Sequence, residues 1–147
     1  MPNRNGMLRV LDANANRARE GLRVVEEYIR LIENNADVTA RLKKLRHEVT
    51  AAVCLLGVDR ELIESRQSDS DVGAGSPSGS ESKREDMEHI VTANLRRTQE
   101  ALRVLEEYSK LISEKASAEF KRLRFCAYTV EQEIRIDFLK SKELKND

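Results

Sequence analysis

Tryptophan is absent from this sequence, proline appears twice, glycine six times, and aromatic residues make up only 4%. Sheets draw on aromatic and β-branched side chains, and on turn residues to join their strands. The shortage therefore points away from β structure and toward long helices. Charge of one sign is missing too, because 26 Lys and Arg are matched by 26 Asp and Glu. No field draws such a chain onto nucleic acid or a membrane, so any anionic partner has to be held by a local group. Only two cysteines occur, Cys54 and Cys126, both within helical patterns, and the start MPNRNGMLRVL has no apolar signal core. Free thiols in a reducing, cytoplasmic setting are expected. The longest apolar stretch, AAVCLLGV from Ala51 to Val58, falls far short of the ~20 residues a membrane span needs.

Nucleotide and metal motifs are also lacking. There is no phosphate loop ending in Gly-Lys-Ser/Thr, no GxGxxG, no cysteine pair at zinc spacing, and neither His47 nor His89 belongs to a Glu-x-x-His pair. Those absences set aside P-loop enzymes, dinucleotide folds, structural zinc and a di-iron bundle. His47 projects away from its helix's apolar stripe and is expected in solvent.

What the sequence does have is 35% charged residues and a strict apolar rhythm over 147 residues, enough for one domain. Leu8, Leu11, Ala15, Ala18, Leu22, Val25, Ile29 and Ile32 recur in steps of three and four, which only a helix places on one face. NNAD (Asn34 to Asp37) breaks this first helix, with Asp37 a candidate N-cap. A second helix carries Leu42, Leu45, Val49, Ala52 and Leu56. The stretch from Ser65 to Ser82, rich in Ser, Asp and Gly, reads as a long loop. Ser82 to Glu85 has the form of a capping box. It opens a third helix with Val91, Leu95, Thr98, Leu102, Leu105 and Ile112. The fourth helix carries Phe120, Leu123, Ala127, Val130 and Ile134.

One phrase occurs twice. EGLRVVEEY (Glu20 to Tyr28) returns as EALRVLEEY (Glu100 to Tyr108), and LKKLR (Leu42 to Arg46) as FKRLR (Phe120 to Arg124). The expected fold is all-α: one domain over residues 1–147, with four long helices forming two duplicated antiparallel hairpins, about 7–57 and 83–140. The loop 65–82 joins them, and the bundle has an internal pseudo-twofold axis.

Packing accounts for the leucines and valines but not for the polar residues beside them. Asn14, Arg17, Gly21, Val24 and Tyr28 form a second line along the first helix, echoed by Asn94, Arg97, Ala101, Val104 and Tyr108. Burying an amide or guanidinium without partners costs on the order of 1–3 kcal/mol. These groups therefore either bind one another in a structural network or dimer seam, or line a wet cleft. Gly21 costs about 1 kcal/mol against alanine, which close helix approach or room for a ligand beside Arg17 would explain. A third line, Asp12, Asn16, Glu20, Arg23 and Glu27, with the echo Arg96, Glu100, Arg103 and Glu107, reads as a solvated salt-bridge ladder. Its carboxylates beside arginines are alternatively a Mg²⁺ site steering a phosphate. Arg124, Tyr128 and Glu131 share a face of the fourth helix, and Arg46 is the counterpart of Arg124. They suit a phosphate site or inter-helix ties. Asp-Val-Gly at Asp71 to Gly73 is a weak candidate for an anion-cradling turn.

LDANANRAREGLRVVEEY, its echo TANLRRTQEALRVLEEY, the LKKLRH segment, SRQSDSDVG and RFCAYTVE resemble the helical domain found alone or in front of thiamine-phosphate synthase. That family has been assigned as a non-ribokinase hydroxymethylpyrimidine-phosphate kinase. The resemblance runs from about Leu8 to Glu131. It implies transfer of the ATP γ-phosphate, with Mg²⁺, onto 4-amino-5-hydroxymethyl-2-methylpyrimidine phosphate in thiamine biosynthesis. Residues matching the pattern are Asp12, Asn14, Asn16, Arg17, Glu20, Arg23, Arg46, Asp71, Gly73, Asn94, Arg97, Glu100, Arg103, Arg124 and Glu131. On this reading Asp12 and Glu20 serve as metal ligand or base, Arg17, Arg97 and Arg124 contact phosphate, and Gly73 lets the loop close as a lid. Two departures stand out: Gln67 replaces the Asp of the family's Arg-Asp, and Phe125 a Tyr. Other readings are a non-catalytic bundle that dimerises or docks on thiamine-phosphate synthase, and an all-α nucleotide pyrophosphohydrolase, which the EEY repeats faintly resemble. A homodimer is expected from the exposed apolar arcs.

Overall fold

In a computed structural model, which describes residues 2–75 and 83–147, the chain is all helical. Four long helices, α1 (Arg4–Leu31), α2 (Ala36–Cys54), α4 (Met87–Ser109) and α5 (Glu114–Asn146), are joined by a short α3 (Asp59–Glu64) and a 3-10 turn (Ser68–Ser70). The 3-10 turn interrupts the expected loop 65–82, and α3 lies between that loop and the first hairpin, where no helix was expected. Ser82 and the rest of 76–82 lie outside the described residues.

The apolar stripes meet as their spacing demands. Leu11, Leu22 and Val25 of α1, Leu42 and Val49 of α2, Leu95, Leu102 and Leu105 of α4, and Phe120, Leu123 and Ile134 of α5 are all essentially inaccessible to solvent. Each such side chain contributes roughly 1.5–3 kcal/mol of transfer free energy. α1 packs against α2 and α4, and α5 against α2 and α4, so the helices run round a square in the order α1, α2, α5, α4. α3 rests on α1.

The turns differ in detail from their sequence-based expectations. NNAD works through both asparagines: Asn34 takes a left-handed conformation at φ 53°, and the Asn35 side chain accepts from the Val38 backbone N–H at 3.0 Å. Asn35, not Asp37, is the N-cap of α2. Likewise α4 is capped by Asp86, whose carboxylate accepts from the His89 N–H at 2.7 Å, rather than by a box beginning at Ser82. Short polar side chains mimic the missing carbonyl at either place, and the one nearest the first free N–H wins. Three stripe residues fall just beyond their helices. Ile32 is the exposed C-cap of α1, Leu56 follows α2 and stays buried, and Ile112 is half-buried in the turn after α4.

Gly21 answers to close approach. A methyl group built there would stand 2.4 Å from Thr98 Oγ1 and 2.8 Å from the Asn94 carbonyl oxygen of α4. Thr98 Oγ1 in turn donates to the Ala18 carbonyl at 3.3 Å. The α1–α4 seam is thus dry and tight at its midpoint, with no room for a ligand between Gly21 and α4.

Candidate functional site

The polar residues singled out by their position divide into three groups. The first holds the helices together. Glu26, only 3% exposed, accepts from Arg46 of α2 at 3.1 Å and from Arg23 of its own helix at 3.5 Å. Glu106, 4% exposed, accepts from Arg124 of α5 at 3.0 Å and from Arg103 at 2.8 Å. Arg23, Arg46, Arg103 and Arg124 therefore each spend a guanidinium on a buried carboxylate. Burial alone would raise the Glu106 pKa, but the bonds from Arg103 and Arg124 outweigh it and hold the carboxyl below its usual range. Arg124 also lies over the Phe125 and Tyr128 rings and donates to the Tyr128 hydroxyl. Glu131 accepts from Gln99 of α4 at 3.1 Å, another tie between helices.

A second group lies on the outer side of the α1–α4 pair. Arg17, Glu20, Arg97 and Glu100 are exposed. Among the described residues none of the four makes an ion pair, and Arg17 reaches only the Asn14 amide oxygen at 3.5 Å. Asn14 is buried, yet its amide is spent on its own helix, donating to the Val10 carbonyl at 2.8 Å, and Asn94 does the same to Ile90. An inward-facing wet gap between Asn14 with Arg17 and Asn94 with Arg97 is not what the fold provides. The amides satisfy themselves locally, the guanidiniums reach solvent, and the seam between them is closed by Gly21 and Thr98.

The third group forms a cleft. Beyond α3 the chain turns back over α1, and Arg66 grips Asp12 with two bonds, Nε to Oδ2 at 2.7 Å and Nη2 to Oδ1 at 3.0 Å. This fork-on-fork pairing is the geometry guanidinium and carboxylate share best. Asp12 is 8% exposed, so Arg66 is also what makes its burial tolerable. The hydrogen bond and charge of Asp12 raise the Arg66 pKa further. Under this clamp opens a cleft of about 220 Å³ lined by Arg9, Asp12, Ala13, Asn16, Arg66, Gln67, Ser68 and Asp71. Of the residues expected in a site, Asp12, Asn16 and Asp71 come together here.

Charge in the cleft is unevenly committed. Asp12 is neutralised by Arg66, Asp71 Oδ1 accepts from the Gly73 N–H at 2.8 Å, and the Asn16 amide oxygen accepts from Arg19 at 2.8 Å. Arg9, the Gln67 amide and the Ser68 hydroxyl have no side-chain partner among the described residues. The lining thus sets an unpaired guanidinium and neutral donors at the Arg9, Gln67 and Ser68 side, with Asp12 neutralised by Arg66 and Asp71 carrying a charge that no cation offsets among the described residues. Gly73 closes an Asx turn on Asp71, so its N–H faces that carboxylate, not the cleft.

The same geometry bears on Mg²⁺. Both Asp12 oxygens are engaged by Arg66, and Glu20 stands eight residues further along α1, roughly 12 Å at 1.5 Å per residue. Among the described residues no three His, Cys, Asp or Glu side chains gather as ligands. This arrangement does not fit a divalent cation held jointly by Asp12 and Glu20.

Several residues here were not anticipated. Glu26 and Glu106 sit one step from Val25 and Leu105 on the core side, so their place on the helical wheel signals burial, although EEY reads as surface. Arg66 and Arg9 gave no periodic signal, because what unites them with Asp12 is the path of an irregular segment.

The profile of the ThiD2 family matches residues 9–133, nearly all of the four-helix bundle and the cleft segment. The chain belongs to the ThiD2 family. Its curated relatives include a thiamine-phosphate synthase of Rhodopirellula baltica, 43% identical over 131 residues, covering 88% of this chain and 34% of the relative. Another, of Thermosynechococcus vestitus, is 40% identical over 134 residues, covering 91% of this chain and 37% of the relative. The chain spans about a third of the length of these relatives. No solved structure matches it. The relatives carry the name of a different thiamine step from the one the resemblance implied, so phosphorylation of the pyrimidine phosphate by ATP is corrected on that ground. A non-catalytic docking bundle gains no support from ThiD2 membership either, nor does a pyrophosphohydrolase.

Proposed function

We propose that this ThiD2 chain serves thiamine biosynthesis at thiamine-phosphate formation, holding a phosphate ester in the cleft between α1 and residues 66–71. Two lines support the reading. The relatives sharing 43% and 40% of their aligned residues with this chain are thiamine-phosphate synthases, whose named product is itself a phosphate monoester. The observation that points to this cleft is its lining, in which Arg9 has no carboxylate partner and Asp12 is already neutralised by Arg66. A phosphate would take charge-assisted bonds from Arg9 and neutral ones from Gln67 and Ser68. At about 220 Å³ the cleft is smaller than the ~300–1,000 Å³ that encloses a whole drug-sized ligand. It therefore receives the phosphate end and leaves the rest of the molecule at the mouth.

Isothermal titration with thiamine phosphate, thiamine and inorganic phosphate tests this directly. Thiamine phosphate is expected to bind and unphosphorylated thiamine to bind at least tenfold more weakly. Arg9→Ala, at a half-exposed position whose side chain makes no hydrogen bond or ion pair among the described residues, is expected to weaken thiamine phosphate at least tenfold. Equal affinity for the phosphorylated and unphosphorylated forms, or an unchanged affinity in Arg9→Ala, overturns the assignment.

A further inference from the structure

Many charged side chains along the α1–α2, α4–α5 and α2–α5 grooves are ion-paired, whereas, among the described residues, those on the outer α1–α4 face are not. Arg23 pairs with Glu26 and Glu27, Arg103 with Glu106 and Glu107, and Arg122 with Glu48 and Glu119. Arg17, Glu20, Arg97 and Glu100 have no ion-pair partner among the described residues. Around them lie apolar side chains that the bundle leaves in water: Val24, Ile90 and Tyr108 are 39%, 37% and 43% exposed. Val10, Ala13 and Val104 beside them are half-buried.

This face is also large enough to matter. α1 has 28 residues and α4 has 23, so they run roughly 42 and 35 Å. With axes about 9 Å apart, their common outer face measures about 35 by 20 Å, roughly 700 Å². Two such faces together bury roughly 1,400 Å², inside the 1,200–2,000 Å² of a stable interface.

Its chemistry selects the occupant. Nucleic acid or an anionic membrane would meet Glu20 and Glu100, and a purely apolar partner would strip water from four unpaired charges. Equal numbers of arginines and glutamates, disposed alike on α1 and α4 about the Ala18–Thr98 contact, are self-complementary. An isologous twofold interface requires just that property. We propose that the outer α1–α4 face is the dimer interface of this chain, with a second copy as the occupant. Val24, Ile90 and Tyr108 are buried between the copies, and Arg17 and Arg97 pair with Glu20 and Glu100 of the other copy. This stands apart from the ligand reading, since none of these seven side chains lines the cleft, which the face borders only at Ala13.

Sedimentation equilibrium on the full chain tests it. The wild type is expected at twice the 16.8 kDa chain mass. Arg17→Glu with Arg97→Glu should raise the dimer Kd at least tenfold, and so should Glu20→Arg with Glu100→Arg. Mixing the two variants should restore the doubled mass as a heterodimer, a result that misfolding cannot produce. Circular dichroism confirms that each variant keeps its helices, which all four exposed positions allow. Val24→Asp with Ile90→Asp should give single chains that mixing does not rescue. A wild type at one chain's mass at its highest soluble concentration overturns the proposal. So does a dimer that the charge reversals leave intact, because it would use another face.

Discussion

Several contacts recur in the two hairpins, and both carry a cleft, but only the first is clamped by a segment from outside the four helices among the described residues. Glu26 with Arg23 and Arg46 is repeated by Glu106 with Arg103 and Arg124, and the Asn14 back-bond to Val10 by that of Asn94 to Ile90. Where the first hairpin has Asp12 gripped by Arg66, however, the corresponding position of α4 is Thr92, and where it has Asn16 the second has Arg96. The recurring Glu26 and Glu106 networks are scaffold, whereas the recurring Arg17, Glu20, Arg97 and Glu100 face solvent. The Asp12–Arg66 clamp has no counterpart, because the segment that carries Arg66 occurs once.

Breaking the scaffold should produce the largest effects. Glu26→Ala and Glu106→Ala each leave a part-buried arginine without its carboxylate, at a cost of about 3–5 kcal/mol. Urea denaturation should show similar losses in both halves, slightly greater for Glu106, whose Arg124 side chain is 14% exposed against 21% for Arg46. A large loss in one half and none in the other would mean that the matching contacts are not matched in strength.

Next in size is Gly21→Ala. Its methyl meets both Thr98 Oγ1 and a backbone carbonyl, and overpacking of this kind costs about 1–3 kcal/mol. Thr98→Ala in the same chain should recover part of the loss, since the threonine can be removed but the Asn94 carbonyl cannot. Ala101→Gly in the other half should cost the helix propensity, about 1 kcal/mol, plus the loss of one buried methyl group.

Acid should separate the halves more finely. Because the Glu106 carboxyl is held below its usual range in the folded chain, the stability it contributes is fully present above the unfolded carboxylate pKa of ~4.3. That contribution is lost as pH falls through the lower folded value. Thermal melts from pH 6 down to pH 3 should show a shallower decline in Glu106→Gln than in wild type. A parallel decline would mean that other carboxylates dominate.

The smallest effect on the bundle is expected from Arg66→Ala. It leaves the Asp12 carboxylate without its cation, but freeing residues 66–71 lets water reach that group, so melting should fall less than in Glu26→Ala and amide exchange at 66–71 should quicken. Thiamine phosphate affinity should fall with it. A large drop in melting temperature would mean that the clamp supports the bundle and not just the cleft.

The helices were legible because burial imposes a period. Leu22 and Leu102, or Leu42 and Phe120, declare their face by spacing alone, and the square of four helices follows from stripes that must be covered. Caps were less so, since Asn35 and Asp37, or Ser82 and Asp86, are chemically alike and a shift of two to four residues in where the helix starts decides between them. The cleft was half visible: Asp12 and Asn16 stand out on the polar line of α1. Their partner Arg66 comes from a segment whose course depends on α3 docking, and no periodicity encodes that. Arg17 and Arg97 misled because a line beside the apolar stripe can face the seam or the solvent, and only the interaxial distance set by Gly21 decides which.

That glycine also decides which half may lie beside which. Gly21 faces Thr98, while the corresponding pair across the repeat is Ala101 and Ala18. Two first hairpins laid together would set glycine against alanine and leave a void. Two second hairpins would drive an alanine methyl into threonine. Only the mixed pairing fills the crossing without collision, so the bundle favours one of each half and discourages exchange of like hairpins between neighbouring chains.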